Sequence, residues 1–229
     1  MGSAERNRDQ QARAALMADI DRMMRYSARE TGRAALSAPV RAAFESVDRR
    51  NFVPEMEAWA AYDNRPLPIG HGQTISQPFI VAIMTELLDP APGDVVLEVG
   101  TGSGYQAAVL SKLVRHVYSI ELVGPLAAES KTRLARLGYH NVTVTEGDGY
   151  AGWPAHAPFD KIIVTAAAPT IPPPLIEQLK PGGRMVIPVG GQYEYQDLVI
   201  VTKAADGTVG ERRLFAVGFV PLVHPEGNR

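Results

Sequence analysis

The chain has 229 residues, with 23 Lys plus Arg against 25 Asp plus Glu, a formal net charge of −2. So balanced a charge gives no general electrostatic reason to bind nucleic acid or an anionic membrane. Cys is absent, which excludes a disulfide framework and a thiolate metal site, and hydrophobic residues at 45% are enough for a sizeable core.

The charged N-terminus lacks the apolar centre of a signal peptide, and residues 1–15 are expected to be flexible. Leu16, Ile20, Met23 and Met24 then fall at helix spacing, and Val40, Phe44 and Val47 mark a second helix within 35–47. Residues 60–77, with Pro66, Pro68, Gly70 and Gly72, predict an irregular segment of the kind that often carries function. Residues 78–88 predict a helix burying Phe79, Ile80, Ile83, Met84 and Leu87, ended by Asp89-Pro90-Ala91-Pro92-Gly93.

From residue 94 the rhythm becomes strand, turn, helix. Strands are expected at 94–99, 117–122, 142–145, 159–165 and 184–189. Helices fall at 105–114, from the second strand to about 137, and around 175–179. Past Gly191 the candidates are 198–202 and 214–220, with Asp206-Gly207 as the turn between them. The alternation implies an α/β fold: a doubly wound, Rossmann-like sheet with an N-terminal helical attachment and a mixed C-terminal edge. We expect one domain over 16–229, divided into helices and a loop at 16–78 and a core with C-terminal strands at 79–229. No apolar run is long enough for a membrane span, so a soluble chain is expected, and the absence of Cys is compatible with a reducing cytoplasm, the expected location.

Val96-Leu97-Glu98-Val99-Gly100-Thr101-Gly102-Ser103-Gly104-Tyr105 runs a buried strand through alternate glycines into a helix. Such glycines permit a tight turn and let a nucleotide-type ligand approach the backbone. Gly102-x-Gly104-x-x-Ala107 also fits the dinucleotide fingerprint, so glycines alone leave a nicotinamide cofactor open. Glu98, Glu121 and Asp148 fall near the ends of successive strands, which suits a cationic, phosphate-free ligand better than a pyrophosphate. Each has a plainer reading: Glu98 suits a cap on the neighbouring helix, and Asp148 a turn with Gly149. Ser76, two residues before Pro78, has the character of a helix N-cap. The scattered histidines, His71 and His224 among them, receive no role, and Trp153, Tyr193 and Tyr195 are expected to pack or to rim a pocket.

Gly70-His71-Gly72-Gln73-Thr74-Ile75-Ser76-Gln77-Pro78, then Val96 to Tyr105, Gly147-Asp148-Gly149, Ile162 to Ala167 and Phe219-Val220-Pro221-Leu222 together resemble the protein-L-isoaspartate (D-aspartate) O-methyltransferase family. The resemblance runs over about residues 35 to 223. It implies methyl transfer from S-adenosyl-L-methionine to the α-carboxylate of L-isoaspartyl residues in damaged proteins and peptides, leaving S-adenosyl-L-homocysteine. The ester then closes to a succinimide, which begins repair. By this resemblance Ser76 is the catalytic-site residue, and Thr74, Ile75 and Gln77 bind substrate beside it. Glu98, Gly100, Thr101, Gly102, Gly104, Glu121, Asp148, Gly149 and Thr165 bind the donor. No metal, nucleic acid or membrane partner is implied, and a monomer is expected. A methyltransferase with another acceptor, or a non-catalytic adaptor of the same fold, is the alternative.

Overall fold

A computed structural model describes residues 3–191 and 194–225, with side chains from Asn7 onward. Helix α1 spans Ser3–Thr31 and buries Leu16, Ile20 and Met24 on one stripe, four residues apart. Residues 1–15, expected to be flexible, lie in this helix from Ser3 on. Asp9 pairs with Arg50 and Arg13 with Asp48, both at 2.5 Å. Ion pairs attach this segment, and they leave no apolar periodicity in the sequence.

Helix α2 (Ala38–Ser46) follows, then 3-10 turns at Arg49–Phe52 and Glu55–Ala60. The expected irregular stretch instead contains a hairpin, β1 (Leu67–Gly70) and β2 (Gln73–Ile75), with Leu67 opposite Ile75. Its tip, Gly70-His71-Gly72, takes positive φ at all three residues. The three-residue β2 is too short to show alternation. Helix α3 (Pro78–Leu88) matches its expected bounds and is buried along nearly its whole length.

The remaining elements are β3 (Val95–Val99), α4 (Tyr105–Ser111), β4 (His116–Glu121), α5 (Gly124–Arg136), β5 (Val142–Glu146) and β6 (Phe159–Val164). After them come α6 (Pro173–Gln178), β7 (Leu179–Val189), β8 (Gln196–Lys203) and β9 (Val209–Val217). The sheet order is β5-β4-β3-β6-β7-β8-β9, parallel through β7 and antiparallel beyond. That is the doubly wound sheet with a mixed C-terminal edge. Two strands differ from expectation. β7 begins at Leu179, ahead of Pro181-Gly182-Gly183, where Leu179 pairs with Phe159. β9 starts at Val209 and ends at Val217, because its first half is an exposed edge with no apolar alternation.

Alternate residues of β3 and β6 face opposite layers: Val96 and Ile163 meet the helical N-terminal side, and Leu97, Val99, Ile162 and Val164 the other. The chain leaves β3 for β4 and β5 on one side, then crosses to β6 on the other. A crevice opens where that order reverses, at the carboxyl ends of β3 and β6. Among the described residues no helix is long and apolar enough to cross a membrane.

Candidate active site

At the end of β3 the backbone crosses into positive φ at Gly100, Gly102 and Gly104. A Cβ on Gly100 would stand 2.4 Å from Thr165 Oγ1. That hydroxyl reaches the carbonyls of Gly100 at 2.6 Å and Val99 at 3.1 Å, strapping the end of β6 to the turn. Gly100 therefore makes room for Thr165. At Gly100 a protein side chain takes the space a Cβ would fill, while the backbone of Gly100 and Gly102 lines the cavity beside the turn. Thr101 is buried, its Oγ1 2.5 Å from Ser119 Oγ.

Glu121 ends β4 with both carboxylate oxygens on backbone amides: Oε2 accepts from Gly102 N–H at 2.7 Å and Oε1 from Val123 N–H at 3.0 Å. It lines the cavity beside the turn, with lone pairs left for a hydroxyl-bearing ligand. Glu98 is placed otherwise. It is fully buried behind the turn, off the cavity wall; Oε2 accepts from Ser119 Oγ, and Oε1 has no partner among the described residues. Burial, opposed by the Ser119 bond and by the backbone N–H of Ala107 and reinforced by nearby Glu121, pushes its pKa up to about 8.

Asp148 is also engaged. Oδ1 accepts from Tyr150 N–H at 2.9 Å, and Oδ2 lies 3.1 Å from Nδ1 of His224, whose ring stacks on Tyr150 at 4.0 Å. Gly149 lines the cavity, and a Cβ there would stand 2.5 Å from Val99 Cγ1. Val220 to Val223 complete the wall. His224 thus ties the C-terminal segment to Asp148 and Tyr150 after β5, and only the fold brings it there.

Thr74, Ser76 and Thr165 border this cavity and also a second one, shared with Met23 and Tyr26 of α1 and with residues 215–220. Ile75 is 4% exposed, held under the loop opposite Leu67. Gln77 is the N-cap residue of α3, without a side-chain cap bond; its Nε2 donates to Asn64 O at 2.9 Å. The cap is supplied from a distance, since Asn64 Oδ1 accepts from Phe79 N–H at 3.0 Å. The capping reading of Ser76 is overturned, and its hydroxyl has no intramolecular partner among the described residues. The start of α3 also offers an anion little, because Pro78 has no N–H and that of Phe79 is taken.

Asn64 and Arg49, whose Nη2 donates to Ser76 O at 2.8 Å, were not legible as parts of the site. Both reach it across the fold and neither sits in a motif. Trp153 packs edge-on against Tyr118 away from both cavities, and Tyr195 is 92% exposed, so neither rims the site. Tyr193 lies outside the described residues.

The family model described as protein-L-isoaspartate(D-aspartate) O-methyltransferase matches residues 21–227. A protein-L-isoaspartate O-methyltransferase 2 from Polaromonas sp. is 57% identical over 207 residues, covering 90% of this chain and 98% of the relative. A protein-L-isoaspartate O-methyltransferase 1 from Cupriavidus necator is 56% identical over 211 residues, 92% of this chain and 82% of the relative. A Plasmodium falciparum structure described as a protein of this kind in complex with S-adenosyl-L-homocysteine superposes with a TM-score of 0.75 at 27% identity. It covers 92% of this chain and 97% of the other.

Proposed function

The chain belongs to the protein-L-isoaspartate(D-aspartate) O-methyltransferase family, and from that membership we propose which of its residues carry each part of the reaction. It is an S-adenosylmethionine-dependent methyltransferase that acts on isoaspartyl residues of proteins. The donor cavity fits such a ligand: the Glu121 carboxylate is fixed beside the glycine turn and lines the cavity, with lone pairs left for ligand hydroxyls. Glu121 would hold the ribose hydroxyls, while Gly149 and the C-terminal wall would enclose the adenine, with Asp148 at its edge. When bound, the donor supplies a sulfonium methyl group already activated for transfer. The methyl carbon gains a bond to a carboxylate oxygen and loses its bond to sulfur, leaving a neutral thioether.

No proton has to move, because the acceptor carboxylate is ionised at neutral pH. The protein's task is alignment of oxygen, methyl carbon and sulfur in a site shielded from water. Ser76, on the wall common to both cavities with a free hydroxyl, donates one hydrogen bond that orients the acceptor carboxylate. That unpartnered hydroxyl is the observation that carries the assignment. Thr165 acts by holding the turn, and Thr74 lines the route in. The acceptor segment would lie extended between the β2 loop and residues 215–220. We propose also that the enzyme works as a cytoplasmic monomer without nucleic acid or membrane, since one chain lines both cavities and its charge is balanced.

The test is labelled methyl transfer to an isoaspartyl peptide and to its normal-aspartyl twin, by the wild type and by Ser76→Ala. The wild type should label only the first. Ser76→Ala should lose about tenfold or more in turnover, as expected for one orienting hydrogen bond to a charged group, with donor affinity kept. Equal labelling of both peptides overturns the substrate assignment, and unchanged turnover in Ser76→Ala overturns the role of the hydroxyl.

A further inference from the structure

Arg49 occupies the first 3-10 turn and is 1% exposed. Its guanidinium lies over the Tyr105 ring, 5.1 Å from the centroid, and Tyr105 begins the helix after the glycine turn. Of its donors, Nη2 holds the Ser76 carbonyl, while Nε and Nη1 are buried with no partner among the described residues. The acids around it are committed elsewhere. Asp48 binds Arg13 and Tyr62, Asp9 binds Arg50, and Asp21 and Glu45 bind Arg41. Burial lowers its pKa to about 10, which leaves it charged at neutral pH.

A buried cation without a counter-ion is costly, and holding one backbone carbonyl does not require it. A neutral amide would make the same bond. Beyond the face of Tyr105, the charge has a further use if an anion arrives nearby, and the acceptor of this reaction is a carboxylate delivered to Ser76. We propose that Arg49 is a positioning residue for the acceptor, setting the loop through the Ser76 carbonyl and supplying the positive charge that favours an anionic substrate there. This rests on the reading that Ser76 meets the acceptor. The bond involves the main chain of Ser76, so the two claims can fail separately.

The decisive quantity is the ratio of dissociation constants for an isoaspartyl peptide and its α-carboxamide counterpart, which differ in one charge. Arg49→Gln keeps a donor for Ser76 O and removes the charge. It should shrink the wild-type preference for the carboxylate by at least about tenfold, while the affinity for S-adenosylhomocysteine stays within about twofold. Arg49→Lys, which keeps the charge but not the planar fork, should retain most of the preference. A merely structural Arg49 would weaken both peptides equally, and an unchanged ratio in Arg49→Gln overturns the proposal. Should Arg49→Gln fail to bind S-adenosylhomocysteine at all, Arg49→Lys decides: a kept ratio supports the charge, a lost one refutes it. Ser76→Ala run alongside keeps the Ser76 carbonyl, so loss of turnover there with an unaltered ratio in Arg49→Gln overturns only the claim for Arg49.

Discussion

Glu98 shows how a single side chain can link the donor site to stability. Its carboxyl is enclosed, bonded on one oxygen by Ser119 and unpartnered on the other, with Glu121 close by. Its folded pKa is about 8, against 4.5 for the free group, so over that interval the native state holds a proton that the unfolded chain releases. The resulting contribution to stability is fully present below the unfolded value and is lost as pH rises through the folded one. Glu98→Gln imitates the protonated state and removes the titration. Denaturant unfolding between about pH 5 and pH 9 should therefore show a smaller loss of stability in Glu98→Gln than in the wild type. Parallel declines in the two proteins would show that Glu98 is ionised in the fold throughout.

At the scale of elements, α3 joins the two cavities to the core, and its first turn is fastened by a residue from another segment. Asn64 caps Phe79 N–H and accepts from Gln77, so it holds the chain on both sides of Pro78, just after Ser76. Asn64→Ala should cost about 1 kcal/mol, the usual worth of a cap, seen as a drop of a few degrees in Tm. It should also raise KM for an isoaspartyl peptide through the loosened loop, with donor affinity unchanged. A fall in Tm with KM intact would confine Asn64 to the helix. The bounds of α3 were legible because one apolar stretch begins at Pro78 and stops before Asp89-Pro90. Its cap was not, since local propensity favoured Ser76 while the real acceptor stands 15 residues away. The central strands were legible as buried apolar runs; β1, β2 and the start of β9 were not, being short or exposed.

Over the whole molecule, the residues proposed for the donor follow the strands in order, Gly100 to Gly104, then Glu121, then Gly149, and most of them meet at one cavity. The second cavity, proposed for the acceptor, is assembled from α1, the hairpin and residues 215–220, and no local pattern links segments so far apart. Helix α1 is the least expected participant. It seals one side of the core with Leu16, Ile20 and Met24, its end is held by Arg212 of β9, and Met23 and Tyr26 wall the second cavity. Burying three large apolar side chains at roughly 1.5–3 kcal/mol each amounts to about 5–9 kcal/mol as an upper figure, comparable with the whole stability of a typical domain. Removal of residues 1–31 should therefore abolish cooperative unfolding, whereas removal of 1–8, which spares Asp9 and its partner Arg50, should leave the unfolding transition and labelled methyl transfer near wild type. Thermal unfolding of the two truncated proteins separates a structural α1 from one that serves only the acceptor. If the chain lacking 1–31 still melted cooperatively and bound S-adenosylhomocysteine but no longer methylated isoaspartyl peptide, α1 would be a recognition element laid on a self-sufficient core.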